Sequence, residues 1–335
     1  MKINMKDWLK NLLEAEQKKA MPVLSFPSIQ LLGISVVELI SDSDKQAEGM
    51  KRVAQRCDTS ASLSMMDLSV EAEAFGSQIK ISGDEVPTVI GRIINDEDDA
   101  VKLKVPEVGA GRTGLYIEAI KKAAEMITDR PVFAGVIGPF SLAGRLMDMT
   151  EIMINSQIEP DMVHETLRKT TQFAIEYIKA YKAVGANGVV IAEPAAGLLS
   201  PILIEEFSTK YVKQIVEAVQ DDNFAVVYHN CGNTIPLIDS ILTIGASAYH
   251  FGNAIKMADM LKKVPSDIIV MGNVDPSSQF RNGTPQSIRE TTLALMQECC
   301  SHKNFVISSG CDVPPLSSWD NIDAFFAAIK EYYKG

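Results

Sequence analysis

The sequence predicts an α/β fold, a single (β/α)8 barrel of the TIM type, and three observations carry that prediction. Short apolar runs, each closed by turn residues and followed by a helical pattern, recur eight times, the signature of βα units around a parallel sheet. Length alone, at 335 residues, admits two average domains, but no Gly/Ser-rich linker or low-complexity tract divides the chain. Polar residues with chemistry also gather where these runs end, and barrels of this type build their sites at the C-terminal ends of their strands. One domain over 1–335 is therefore expected.

The elements follow in order. MKINMKDWLKNLLEAEQKKA is amphipathic and charged, lacks a signal-peptide apolar core, and is expected to form a helical extension over 1–20. MPVLSF (21–26) and ASLSMMD (61–67) are the first two strands. The next segment breaks the rhythm, so 69–95 is expected to be an inserted hairpin and loop after strand two, packed near the barrel mouth. PVFAGVI (131–137) is the third strand, and the long stretch 141–185 has room for two helices, with a start signal at Asp161. GVVIAE (188–193), FAVVYH (224–229), ASAYHF (246–251) and DIIVMG (267–272) follow as strands four to seven. Thr284-Pro285 opens the helix QSIRETTLALMQECC, and NFVISS (304–309) is the eighth strand.

Composition narrows the function. The chain is 46% hydrophobic and 22% charged, as expected of a packed globular protein. Its 32 basic and 43 acidic residues give a net charge of −11, which repels nucleic-acid backbones and anionic membranes. No stretch approaches the roughly 18 apolar residues of a membrane span, and a cytoplasmic location is expected. Five cysteines are too few and too scattered for a disulfide framework. Cys57, Cys299 and Cys300 lie in helical patterns and read as packed or partly exposed thiols.

The other two cysteines stand apart. His229-Asn230-Cys231 ends the fifth strand, and Cys311 in SSGCDVPP lies just beyond the eighth. Strands five and eight are three places apart in an eight-stranded ring, so inward side chains from their ends meet over the mouth. One imidazole and two thiolates suit Zn²⁺ and leave a fourth tetrahedral position open, the arrangement of a catalytic rather than a structural site. An H-x-C also arises by chance and cysteine is often simply buried, but placement on one rim favours the metal. Asn230 alternates to the opposite side and is expected to matter much less.

Asp67, Glu193, His250, Asn273 and Asp275 reach the same rim as candidate substrate-binding residues. Glu193 and Asp275 read equally well as supports for His229, helix caps or solvated loop residues. His250 reads as a fourth ligand, a proton carrier or a satisfied polar residue. His164 and His302 fall in helical segments and read as surface residues.

These residues sit in motifs that resemble the uroporphyrinogen decarboxylase superfamily, and within it the branch of cobamide-dependent methyltransferases. The resemblance spans most of the chain and is carried by MDLSVEAEAFGSQIKISGDEVPTV (66–89), GPFSLAGRLM (138–147), EPAAGLLSPILIEEF (193–207), HNCGN (229–233), GNVDP (272–276) and SSGCDVPP (308–315). It implies that His229, Cys231 and Cys311 are zinc ligands. True decarboxylases carry an arginine-rich segment that grips porphyrinogen carboxylates, whereas the corresponding LSFPSIQLLGISVVE has no arginine. Many methyltransferase relatives carry an acidic residue after strand six, where this chain has Phe251-Gly252-Asn253.

The resemblance implies methyl transfer from a methylated corrinoid to a thiol such as coenzyme M or to a pterin. Zinc would keep a bound acceptor thiol as thiolate, which attacks the methyl carbon while the bonding pair remains on cobalt as Co(I). No DxHxxG-type cobalamin loop is present, so the corrinoid is expected on a separate partner protein. The rival readings are a uroporphyrinogen decarboxylase and a non-catalytic corrinoid- or metal-binding protein.

Overall fold

The computed structural model describes residues 3–334. Met1, Lys2 and Gly335, parts of the expected 1–20 extension and 1–335 domain, lie outside the described residues. Among the described residues nine strands follow in chain order: β1 Ser62–Leu63, β2 Gln78–Lys80, β3 Thr88–Ile90, β4 Val132–Ile137, β5 Gly188–Ala192, β6 Ala225–Asn230, β7 Ala248–Phe251, β8 Ile269–Val274 and β9 Phe305–Ser309. Seven of them form one curled parallel sheet ordered β1-β4-β5-β6-β7-β8-β9, and β2 pairs antiparallel with β3.

Alternation along the strands separates two apolar layers, because successive side chains point to opposite faces. Ala225 and Val227 of β6 join Phe133, Val190, Ala248 and Val306 in an inner cluster, while Val226 and Tyr228 face the outer layer of helices. A helix over Met5–Glu14 contributes Met5 and Leu12 to that inner cluster. Its Trp8 ring lies tilted by 44° to Phe133 with centroids 5.6 Å apart, and donates its indole N–H to Ser60 O at 3.1 Å.

The expected first strand, 21–26, is not a strand. Met21 N–H donates to Ile307 O of β9 at 3.1 Å, and Ser60 N–H donates to Ala20 O at 2.9 Å, so the segment lies between β9 and β1. Met21 and Val23 enter the inner cluster while Ala20 and Leu24 enter the outer one, which is strand-like alternation. Pro22 has no N–H for a ladder to β1, and Val23 N–H goes to the Ser309 hydroxyl at 3.0 Å. The eighth stave is extended chain without a ladder.

The second strand is shorter than 61–67 for a related reason. Ser64 Oγ accepts Gly135 N–H at 2.9 Å and Asp312 Oδ2 accepts Met66 N–H at 2.9 Å, so side chains replace ladder bonds beyond Leu63. Within 69–95 a short helix, Val70–Ala74, precedes the β2–β3 hairpin. The hairpin turn is held by Val36 N–H donating to Gly83 O at 2.8 Å. A cleft of about 300 Å³ separates Asp84–Val86 of that turn from Arg281 and Pro314–Leu316, beside the loop after β9.

The stretch expected to hold two helices holds three: Pro139–Met147, Met149–Ile158 and Pro160–Ala183. Asp148 ends the first at φ 84° and caps the second by accepting Thr150 N–H at 2.8 Å. Pro160 then opens the third.

Candidate metal centre

His229 continues the inward parity of Ala225 and Val227, so its ring stands at the top of the inner layer, buried. Cys231 follows one residue past the end of β6, and Cys311 two residues past the end of β9. One donor atom from each of the three residues lies within 4.8 Å of the other two, and Cys311 Sγ is 3.5 Å from His229 Nε2. Tetrahedral Zn–S and Zn–N bonds place ligand atoms about 3.5–3.8 Å apart, so the donor set and its spacing fit such an ion after a small contraction.

Hydrogen bonding from Cys311 and the neighbouring His229 ring push the Cys231 thiol below its ordinary range. The adjacent sulfur and burial push Cys311 upward. Of the two neighbouring thiols, Cys231 is the one that ionises more readily.

The backbone around Cys231 is tightly packed. A Cβ at Gly252 would lie 2.5 Å from Cys231 Cα and 3.0 Å from Gly310 O. In the Phe251-Gly252-Asn253 stretch that follows β7, Gly252 therefore has no room for a side chain. Asn230 does point away from the sulfurs, but it is a buried clamp rather than a neutral spacer. Its amide donates to Glu193 O at 2.8 Å, and its Oδ1 accepts Gly232 N–H at 2.9 Å.

Five rim residues were expected to meet substrate, and most of their polar atoms are engaged by protein groups. Asp67 takes Arg112 Nη1 at 2.5 Å and the Tyr116 hydroxyl at 2.7 Å on Oδ2, with the Ser69 hydroxyl at 2.6 Å on Oδ1. Arg112 also donates to Glu73 at 2.6 Å and Ser69 Oγ at 2.8 Å. Glu193 is one residue beyond the inward-facing Ala192 and so faces the helices; its carboxylate accepts Phe140 N–H, Ser141 N–H and the Ser208 hydroxyl. A Cβ at Gly138 would overlap the Glu193 side chain, 2.3 Å from Cγ and 2.4 Å from the carboxylate carbon, which explains the glycine. Asn273 donates to Gly252 O at 2.9 Å and Ile255 O at 3.0 Å. Asp275 caps the following turn through Ser277 N–H at 2.8 Å.

His250 sits opposite His229 in the β6–β7 register, and their Nδ1 atoms are 2.7 Å apart. Burial and the facing His229 ring push His250 well below the ordinary histidine range, so it stays neutral.

The sequence reading missed Asp312. Its Oδ2 accepts Met66 N–H, but Oδ1 is buried without a partner among the described residues, beside Cys311. Desolvation pushes this carboxyl up to about 8. Its adjacency to Cys311 was the available signal. Cys57 and Cys299 are buried, as their helical settings suggested, and burial pushes each thiol up to about 12. His164 is half-buried and hydrogen-bonds Tyr211 at 2.9 Å. Two larger clefts lie elsewhere: about 420 Å³ near Arg130 and Asn187 at the opposite ends of the strands, and about 570 Å³ between 96–98 and 158–162.

Known proteins share this sequence and shape. The profile of the family described as "Uroporphyrinogen decarboxylase (URO-D)" matches residues 18–332. Over 274 residues, 79% of this chain and 78% of the relative, the sequence is 28% identical to the methylcobamide:CoM methyltransferase MtbA of Methanosarcina acetivorans. Over 281 residues, 79% of this chain and 76% of the relative, it is 25% identical to the uroporphyrinogen decarboxylase of Neisseria meningitidis serogroup C. A solved methyltransferase from Methanosarcina mazei has the same fold, with a TM-score of 0.86 and 23% identity over 99% of both chains.

Proposed function

We propose that this chain, which belongs to the uroporphyrinogen decarboxylase family, is a zinc-dependent methyltransferase acting between a methylated corrinoid on a partner protein and a small thiol such as coenzyme M. The observation that carries this reading is the meeting of one ring nitrogen of His229 with Cys231 Sγ and Cys311 Sγ within 4.8 Å of one another. Three protein donors leave room for a fourth from outside. A zinc ion held there would lower the pKa of an acceptor thiol and keep it ionised at neutral pH. In the overall reaction the thiolate sulfur gains the methyl group, and the cobalt–carbon electron pair stays with the corrinoid.

The chain's own residues do the holding and shaping. His229 is fixed by its strand, Cys231 by its close packing on Gly252, and Cys311 by the loop after β9. We assign Asp67, Glu193, Asn273 and Asp275 to the frame of this mouth, and the unpartnered Oδ1 of Asp312 to contact with the polar part of the acceptor. Leu198 and Ile202, 70% and 76% exposed in the two short helices after β5, offer the partner an apolar edge at the same end. We take 1–335 as one catalytic domain acting in the cytoplasm; no helix among the described residues is long and apolar enough to cross a membrane.

A decarboxylase would need free cations at the mouth for porphyrinogen carboxylates. Arg112, the arginine beside Asp67, is instead tied to Asp67, Glu73 and Ser69. Metal analysis of the purified protein, paired with a methylcobalamin and coenzyme M assay followed by loss of the methyl–cobalt absorbance, tests the reading. About one zinc per chain with methyl transfer supports it. Porphyrinogen turnover without metal favours the decarboxylase, and zinc without methyl transfer to any thiol or pterin leaves a binding protein.

A further inference from the structure

One chain of hydrogen bonds runs from the candidate ligand His229 through three further groups. His229 Nδ1 is 2.7 Å from His250 Nδ1, His250 Nε2 is 2.8 Å from Ser308 Oγ, and Ser308 Oγ is 2.7 Å from the carbonyl oxygen of Met21. A carbonyl oxygen only accepts, so the Ser308 hydroxyl proton points at Met21. Ser308 Oγ must then accept from His250, which places the proton of His250 on Nε2. His250 Nδ1 is left with a lone pair, so His229 Nδ1 carries the proton between them. A second acceptor gives the same answer, because the carbonyl oxygen of His250 lies 3.3 Å from His229 Nδ1. The reverse order would leave Ser308 Oγ and Met21 O facing each other with no proton between them.

We propose that His250 and Ser308 are positioning residues that lock His229 in its Nδ1–H tautomer, so that the Nε2 lone pair is presented between Cys231 and Cys311. The inference rests on the metal-centre reading and deepens it. A ligating histidine commonly donates its other N–H to a carboxylate, carbonyl or water. Here the acceptor is a neutral imidazole, itself oriented by a backbone carbonyl of the extended segment that replaces the eighth strand. The irregular seam of the sheet therefore supplies the fixed end of the chain. His250 Nδ1 faces His229, and its Nε2 faces Ser308, so both ring nitrogens are engaged away from the cysteines.

The test uses the full chain and zinc alone. Nitrogen-15 spectra of the metal-free protein are expected to show His229 protonated on Nδ1 and bare on Nε2, with the opposite pattern in His250. His250→Leu removes the acceptor and is expected to mix the His229 tautomers and weaken zinc binding about 10–100-fold in a chelator competition. His250→Gln keeps an oxygen acceptor toward His229 and an N–H donor toward Ser308, and is expected to recover most of that loss. Circular dichroism identifies a variant that fails to fold, in which case Ser308→Ala is read in the same two assays with the same expectation as His250→Leu. His229 protonated on Nε2 in the wild type, or wild-type zinc affinity in a folded His250→Leu or Ser308→Ala protein, overturns the proposal. Absence of zinc binding by the wild-type chain overturns the metal centre itself.

Discussion

Gly252→Ala perturbs the candidate centre with a single methyl group. The new Cβ would sit 2.5 Å from Cys231 Cα and 2.6 Å from Cys231 Cβ, with Gly310 O at 3.0 Å. Carbon–carbon contacts are comfortable at about 3.5–4.0 Å, so Cys231 must retreat by roughly 1 Å. Overpacking of this kind costs about 1–3 kcal/mol of stability. The effect on the metal is larger in proportion, because ligand distances in a working site hold to about 0.2 Å. A displacement near 1 Å at a reacting centre lowers rate by about 100-fold. Chelator competition for zinc, urea denaturation and the methylcobalamin–thiol assay read the three consequences. Gly83→Ala is the control, since nothing lies within 4 Å of a Cβ there. Gly252→Ala with wild-type zinc affinity would refute the reasoning, even if its stability fell, because Cys231 would then not be held by this contact.

Cys231→Ala and Cys311→Ala are expected to lose most zinc, while Cys57→Ala and Cys299→Ala keep it, as read by metal content after dialysis. Glu71 is buried, accepts Ile137 N–H at 3.0 Å, and is pushed by desolvation from 4.5 up to about 8. Between those values the folded state holds a proton that the unfolded state has released, so this group's contribution to stability falls as pH rises and levels off above pH 8. Glu71→Gln should remove that slope, gaining roughly 2–3 kcal/mol more at pH 9 than at pH 6 in urea denaturation; an equal gain at both would contradict it. Ile202→Asp should slow methyl transfer from a corrinoid protein while leaving transfer from free methylcobalamin unchanged. A wild-type rate with the corrinoid protein would remove the short helix Pro201–Ile204 after β5 from the partner interface.

Much of the frame was legible because its signals are local. Apolar runs with turn residues located seven of the eight expected strands to within a few residues, and His229, Cys231 and Cys311 declared themselves by standing at two strand ends. The rest needed information that a linear pattern does not hold. Pro22 and the Ser309 hydroxyl dissolve the ladder of the first strand, although the apolar run there reads as well as any other. The backbone reversal at Asp148 splits a stretch whose helical pattern runs on. Glu193 follows an inward residue by one position, and that single step turns it from the mouth to the helices. Asn230 was expected from alternation alone to matter much less than His229, and alternation says where a side chain points but not what it binds there. The link from His229 through His250 and Ser308 to Met21 joins four staves, β6, β7, β9 and the extended 21–26 segment, and Asp312 shows its unpartnered oxygen only once the loop after β9 is folded over β1.

Zinc-edge X-ray absorption of the purified full-length chain, before and after addition of coenzyme M, tests the central claim most directly. The resting protein should show one zinc per chain with two sulfur neighbours at about 2.3 Å and the remainder nitrogen or oxygen. Adding the thiol should raise the sulfur count to about three and release a proton into a weakly buffered solution. A chain without zinc, or a sulfur shell unchanged by coenzyme M and by a panel of other thiols, would contradict the account.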